Sequence, residues 1–427
     1  MTESDLRAAS FVETSPDGRN VYVTSWQVGA ITVFDRNEET GALTNREVVR
    51  SDDLAGVTDL RISVDGRIVV VSCCHARTAV IFERHPISGR LSRLDVQRKT
   101  EDGSDGLYWA IDIALSPDGQ FAYVADDRRK GRSSGDSENG DIGRITVLRI
   151  EDDGQLEPVQ TLLGPDRCLD GIRAVCAHPD GRTIFATCWK AGTLVVLDRD
   201  VKTGRLSVRQ VLSSKADGPG VLNGAVTAAC SPDGQFVYTV SGRFTDDAPN
   251  VAINFARAVD NLLVPITIGK DDGLFRIGLP GAGLNAVDFD AVRLQGAGLQ
   301  PAELSEPTVA QGVGVFRLTS DGKLSTVQTV RTGGQGQIAL RGGNQLLVTA
   351  DCRRLYVSGT TSGTLVGFVR DSSTGRLTHE QTLKYDDSDL KGLNGANGIA
   401  ESPDGRFLHV TGERAGSVTV LHRVSQE

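Results

Sequence analysis

The stretch Ser15-Pro16-Asp17-Gly18-Arg19-Asn20-Val21-Tyr22-Val23-Thr24 decides the fold, because its first four residues keep returning. Ser-Pro-Asp-Gly recurs at Ser116-Pro117-Asp118-Gly119, Ser231-Pro232-Asp233-Gly234 and Ser402-Pro403-Asp404-Gly405. Variants stand at Ser63-Val64-Asp65-Gly66 and His178-Pro179-Asp180-Gly181, and a degenerate copy at Thr349-Ala350-Asp351-Cys352. Pro presets φ for a tight turn, and Asp-Gly accepts the positive-φ position within it. A short apolar run precedes each mark and an alternating one follows, the pattern of two strands joined by a turn. A third strand comes next, as in Ala30-Ile31-Thr32-Val33-Phe34 or Thr193-Leu194-Val195-Val196-Leu197. Then come a Thr-Gly-Xaa-Leu turn (Thr40-Gly41-Ala42-Leu43, Thr203-Gly204-Arg205-Leu206) and a fourth strand. Four antiparallel strands per unit make a propeller blade.

Seven marks predict an all-β, seven-bladed β-propeller forming a single domain over residues 1–427. The last unit stops near Val424 before a fourth strand, so Thr2 to Ala8 is expected to complete it and close the ring by joining the termini. Two insertions fall between second and third strands. Residues 128–143 in blade three are polar and Gly/Ser-rich and read as a loop. Residues 245–311 in blade five read as a lid, with a helix expected over Val251 to Val264, or as an eighth, diverged blade marked by Lys270-Asp271-Asp272-Gly273.

Composition narrows the function classes. Lys+Arg of 46 against Asp+Glu of 55 gives a net charge of -9, which argues against nucleic acid and anionic membranes as partners. No apolar run approaches the roughly 18 residues of a membrane span. The opening MTESDLRAAS has no apolar signal-peptide core, and the seven Cys show no disulfide-framework spacing, so a cytoplasmic location is expected.

With the repeat written out, the units resemble the YVTN or lactonase-like seven-bladed propeller superfamily, in Ser-Pro-Asp-Gly, Tyr22-Val23, Ile31-Thr32-Val33-Phe34 and Thr-Gly-Xaa-Leu. A second motif precedes the innermost strands: Leu169-Asp170-Gly171, Leu222-Asn223-Gly224, Leu393-Asn394-Gly395 and the variant Leu54-Ala55-Gly56. It resembles repeats in the propeller of cyanobacterial enzymes that alkylate resorcinol rings with alkyl chlorides. The superfamily includes 6-phosphogluconolactonases and carboxy-muconate cyclases, in which one blade begins Gly-Pro-Arg-His and a later Asn-Glu supplies a carboxylate. Blade four here reads Gly171-Ile172-Arg173-Ala174, so Arg173 matches the family Arg and Ala174 replaces the His. Thr187-Cys188-Trp189 offers no carboxylate in that blade.

Propellers bind ligands at a channel mouth. Aligned on their turn marks, the blades place Trp26-Gln27, Cys74-His75, Asp127-Arg128, Trp189-Lys190, Gly242-Arg243, Thr360-Thr361 and Glu413-Arg414 just after the second strand. His75, Arg128, Lys190, Arg243 and Arg414 then share one position, a cationic rim that with Arg173 suits a carboxylate or phosphate. The competing reading is a set of solvated loop cations. Trp26, Trp109 and Trp189 all fall in mouth loops and read as an aromatic wall or as local packing. On the innermost strands, Asp59 and Asp112 read as general acid or base, or as acceptors for backbone N–H groups between blades. Glu13 and Arg61 read as a structural ion pair, and Glu413 and Asn397 join the mouth candidates. Cys74 beside His75 invites a thiol nucleophile. Cys176, His178 and Cys188 lack a fourth zinc ligand, and no local spacing supports calcium at Asp59, Asp112, Asn344 and Asn397.

These residues give an expected metal-independent, cofactor-free enzyme acting on a small anionic or aromatic molecule, by lactone hydrolysis or ring isomerisation or cyclisation. The alternatives are an alkylating or other bond-forming enzyme of specialised metabolism and a non-catalytic scaffold propeller.

Overall fold

The computed structural model describes residues 6–98, 107–128, 142–214, 220–242, 312–332, 338, 340–387 and 389–423, with three short strands at 267–271, 274–278 and 285–286. Seven antiparallel sheets follow one another along the chain, each a blade. Their innermost strands are Ala9–Thr14, Val57–Ile62, Ala110–Leu115, Ile172–Ala177, Ala225–Cys230, Gly343–Val348 and Ala396–Glu401. Six blades have four strands, and the seventh has three among the described residues, ending at Ser417–His422. Of the segment expected to complete it, residues 2–5 lie outside the described residues, and residues 6–8 form a turn rather than a strand. The ends of the chain still meet: buried Leu6 lies beside Gly416, and Leu6, Ala9, Val12 and Ala400 share one apolar cluster with Val418.

In blade three the strand ladder runs into the expected loop, pairing Asp127 with Gly143 and Arg128 with Ile142. In blade five, Phe236–Ser241 pairs with Gly312–Leu318, bracketing the larger insertion. Residues 244–308 form a unit of their own, in which Thr267–Asp271, Leu274–Gly278 and Asn285–Ala286 make a three-stranded antiparallel sheet. The expected helix at Val251 to Val264 lies outside the described residues.

The turn mark does more than reverse the chain. Ser15 Oγ donates to Asp17 Oδ1 at 2.6 Å and accepts the Asn20 N–H at 3.0 Å, while Gly18 takes a φ of 73°. The other oxygen of such an Asp faces the next blade. There the last residue of a third strand is a buried arginine: Arg84 Nη2 donates to both Asp17 oxygens, Arg199 Nη2 to Asp118, Arg370 Nη2 to Asp233 and Arg36 Nη2 to Asp404. Arg423 reaches Asp351 in the same way. Nε of Arg84, Arg199 and Arg370 donates to the hydroxyls of Tyr22, Tyr123 and Tyr238 at 2.8, 2.6 and 2.6 Å. Each tyrosine in turn donates to the carbonyl of the next blade's turn glycine: Gly89, Gly204 or Gly375. The apolar part of a seam is filled by clusters such as Phe11, Tyr22, Ile31, Leu60, Val71 and Val80 between blades one and two.

At the closing seam a histidine, His409, stands where those blades have tyrosine. His409 Nε2 and Arg36 Nε are both buried with no hydrogen-bond partner among the described residues. Burial, aided by the Arg36 charge, pulls the His409 imidazole down to about 4.

Two predictions follow from the seams. Arg84→Ala strands Asp17, Asn20 and Tyr22 at once and should cost about 2–3 kcal/mol in urea unfolding, discounted because Asp17 is one-third exposed. Arg93→Ala, which breaks a pair whose arginine is half exposed, should cost under about 0.5 kcal/mol. Equal losses would contradict this account. The second prediction concerns acid. Because the folded His409 binds its proton at lower pH than the ordinary value of 6.5, unfolding takes up a proton between about pH 6.5 and 4. Stability should therefore fall by up to about 3 kcal/mol as pH drops through that window, and His409→Tyr should flatten this part of the profile. Urea midpoints at pH 7 and pH 5 for both proteins measure it.

Candidate functional site

The mouth is built by one backbone bond repeated in every blade. The N–H groups of Trp26, Cys74, Asp127, Trp189, Gly242, Thr360 and Glu413 donate to the carbonyls of Ala8, Gly56, Trp109, Gly171, Gly224, Gly342 and Gly395. This clamps the end of each second strand, or the loop after it, onto the entry to its own innermost strand, and it makes these seven residues equivalent in space. The glycines are required by close approach. A Cβ on Gly56 would stand 2.7 Å from the His75 ring, one on Gly171 2.5 Å from Lys190 Cβ, and one on Gly395 2.7 Å from the Arg414 nitrogen.

Across blades one to three the rim is aromatic. His75 lies between Trp26 and Trp109, tilted 58° to the first ring and edge-on to the second, with ring centroids 4.8 and 5.4 Å away. Trp26 Nε1 donates to Cys74 Sγ at 3.4 Å, which fixes the indole over the neighbouring blade. Trp109 is fixed from below: buried Asp126 accepts the N–H groups of Tyr108 and Trp109, and Arg144 Nε donates to the same carboxylate at 2.7 Å. Three residues expected separately as wall and rim thus form one aromatic cluster.

The remaining blades supply polar groups. The Arg173 guanidinium lies over the Trp189 ring at 5.5 Å, and Lys190 and Arg414 are exposed beside it in sequence or on the same rim. On blades six and seven, Asn344 Nδ2 donates to Asn397 Oδ1, and Asn397 Nδ2 donates to Glu413 Oε2 at 3.2 Å. The Asn397 carbonyl accepts from Ser358 Oγ at 2.5 Å. Arg243 and the Arg128 side chain lie outside the described residues.

Below the rim the two aspartates are engaged between blades. Asp59 Oδ2 accepts the Ile113 N–H at 3.1 Å, Asp112 Oδ2 accepts the Val175 N–H at 2.7 Å, and Glu13 Oε1 accepts the Ile62 N–H at 3.1 Å. Arg61 sits among all three carboxylates, at 2.7 Å from Asp59, 3.6 Å from Asp112 and 3.7 Å from Glu13. Burial pushes the Glu13 carboxyl up to about 7 against the pull of Arg61. Burial and the Asp59 charge push Asp112 well above the usual carboxylate range. Arg61 occupies the centre of the cluster, where a cation would otherwise sit. Among the described residues no three His, Cys, Asp or Glu side chains converge on a metal position.

The thiols next to His75 are poor nucleophiles: Cys73 is fully buried, with burial pushing it up to about 12, and Cys74 is buried under Trp26. Of the three residues set aside as a zinc site, His178 bonds the Gly234 carbonyl and Cys188 is fully buried, while Cys176 faces Cys230 at 3.3 Å. Sequence reasoning missed this thiol pair and the Asn344–Asn397–Glu413 chain. Cys176 with Cys230, and Asn344 with Asn397, come from neighbouring innermost strands at related offsets from the turn mark, a signal available once the blades are aligned.

The comparisons with known proteins agree with this architecture. No curated protein matches the chain. Among solved structures, the periplasmic gluconolactonase of Pseudomonas aeruginosa aligns over 94% of this chain and 95% of its own, at 19% identity and a TM-score of 0.61. A putative 6-phosphogluconolactonase from Bacteroides fragilis aligns over 97% and 91%, at 17% identity and 0.60. Hydrazine synthase from Kuenenia stuttgartiensis aligns over 98% and 96%, at 14% identity and 0.60, so at this level the likeness is one of fold. The family described as "Lactonase, 7-bladed beta-propeller" matches residues 2–104 and 308–427, and the chain belongs to that family.

Proposed function

We propose that the protein is a lactonase-type hydrolase whose substrate is a small lactone carrying an anionic group or an aromatic or alkyl portion. The observation that carries this reading is the pairing, on one mouth, of a carboxylate held in place, Glu413, with a guanidinium held in place, Arg173. Glu413 is the base: it takes a proton from water as the water oxygen attacks the acyl carbon. Arg173 stabilises the negative charge that develops on the carbonyl oxygen, in a site where the Trp189 ring excludes water from one side of the guanidinium. The ring C–O bond then breaks, and the leaving alkoxide takes the proton back from Glu413. Lys190 and Arg414 attract the anionic group, and the Trp26–His75–Trp109 cluster packs against the apolar part of the substrate. Asp59 and Asp112 are positioning residues, since their bonds hold neighbouring innermost strands in register.

This assignment moves the chemistry away from the family pattern in blade four, where Ala174 and Thr187 stand. Aldonolactones are the first substrates to test, because the gluconolactonase and putative 6-phosphogluconolactonase neighbours are named for them. The seven free cysteines support a reducing, cytoplasmic setting.

Acid release from glucono-1,5-lactone and its 6-phosphate, followed by pH-stat against the spontaneous rate, should show acceleration by the wild-type protein. Glu413→Gln and Arg173→Ala should each lower kcat/KM by at least about 100-fold with unchanged circular dichroism. Asp59→Asn should lower the unfolding midpoint more than it lowers kcat. Wild-type rates no faster than buffer, or full activity in both mouth variants, would overturn the assignment.

A further inference from the structure

Cys176 and Cys230 sit on the innermost strands of adjacent blades, four and five, with their sulfur atoms 3.3 Å apart. That separation is inside the ordinary contact distance of two sulfurs and about 1.3 Å from a disulfide bond. Both side chains are partly exposed, whereas Cys73, Cys74, Cys168 and Cys188 are buried. Cys176 also occupies the same place along its strand as Glu13 and Arg61 do along theirs, and the Arg61 charge acts on it. Hydrogen bonding from Cys230, helped by Arg61, pulls the Cys176 thiol below its usual range against the effect of burial. Burial pushes Cys73 and Cys188 the other way. The pair therefore contains an attacking sulfur, Cys176, and a resolving one, Cys230.

We propose that Cys176 and Cys230 form a reversible dithiol–disulfide couple, oxidised by hydroperoxides, that ties the innermost strands of blades four and five together. The Cys176 thiolate attacks one peroxide oxygen, the O–O bond breaks, and the departing oxygen leaves as water or an alcohol after taking up a proton. Cys176 is then a sulfenic acid. Cys230 sulfur attacks the Cys176 sulfur, the S–OH bond breaks, and the hydroxyl leaves as water with the Cys230 proton. Two thiols are oxidised by two electrons and one peroxide is reduced. The bond closes a loop spanning 54 residues of sequence, so it restricts the unfolded chain and should raise the thermal midpoint. This chemistry is independent of lactone hydrolysis.

The test uses the full chain and hydrogen peroxide as the probe. After equimolar to tenfold peroxide the intact mass, taken before alkylation, should be two hydrogens lighter, and after iodoacetamide quenching peptide mapping without reductant should show a Cys176–Cys230 cross-link. Dithiothreitol should reverse both, and the oxidised protein should melt several degrees higher. In Cys230→Ser the resolving thiol is gone, and dimedone should label Cys176 in preference to Cys352. Both cysteines recovered as alkylated thiols, cross-links to other cysteines, or sulfinic acid at Cys176 in the wild type would overturn the proposal. The wild-type mapping decides the matter even if the variant folds poorly.

Discussion

An arginine buried at the end of a blade's third strand, bonded to the turn aspartate of the blade before it, is the interaction on which the ring depends. Arg36, Arg84, Arg199 and Arg370 are each under 7% exposed, so removing their partners would leave a cation with no water to replace them. The Ser-Pro-Asp-Gly mark is therefore both a turn and a socket: the serine fixes one carboxylate oxygen and the turn leaves the other for the neighbour. Burial opposes ionisation of Asp404, yet the bonds from Ser402, Arg406 and Arg36 prevail and hold its carboxyl down at about 2. Where the pattern lapses, the chain changes at the same place. Blades three and five have Ile150 and Leu318 instead of the arginine, and these are the two blades whose second and third strands are separated by long insertions. At the seam between blades four and five, His178 replaces the turn serine and bonds the Gly234 carbonyl, an alternative tie between successive turns.

With the ring held from the turn face, the opposite face is relieved of structural duty. One backbone bond secures each of its loops in the same way, so the side chains there vary from Trp26 to Glu413 without disturbing the blade. The innermost strands between the two faces carry a third kind of link, in which a carboxylate or amide of one blade accepts an N–H of the next: Glu13 to Ile62, Asp59 to Ile113, Asp112 to Val175 and Gln345 to Ile399. Arg61 neutralises the three acids where they crowd together.

These levels were not equally legible in the sequence. Blade number and the equivalence of His75, Lys190 and Arg414 follow from counting offsets to a turn mark, because a propeller converts sequence offset into position around a ring. Family membership follows from the same repeat. The seam arginines were overlooked although Arg36, Arg84, Arg199, Arg370 and Arg423 recur at one offset: a lone cation ending an apolar strand looks exposed until its partner in another blade is known. The roles of Asp59 and Asp112 stayed open for a related reason. A carboxylate's neighbours across a blade seam depend on the stagger of adjacent sheets, which no local pattern encodes. The cluster of His75 between Trp26 and Trp109 likewise needs three blades in place before it exists.

The mouth is unequal around its circumference, and that inequality constrains what it can bind. Blades one to three contribute an aromatic cluster, while blades four, six and seven contribute Arg173, Lys190, Asn344, Asn397, Glu413 and Arg414. A ligand symmetric in polarity would waste one side or the other, whereas a molecule with an apolar or ring-shaped end and an anionic or carbonyl end would satisfy both. In the proposed hydrolysis such a pose puts the reacting group toward blades four and seven, because the aromatic cluster offers His75 as its only titratable group. Loss of the family histidine at Ala174 fits this polarity. With Ala174 in that place, Arg173 lies over Trp189, and in the proposed hydrolysis proton transfer falls to the carboxylate held by Asn397.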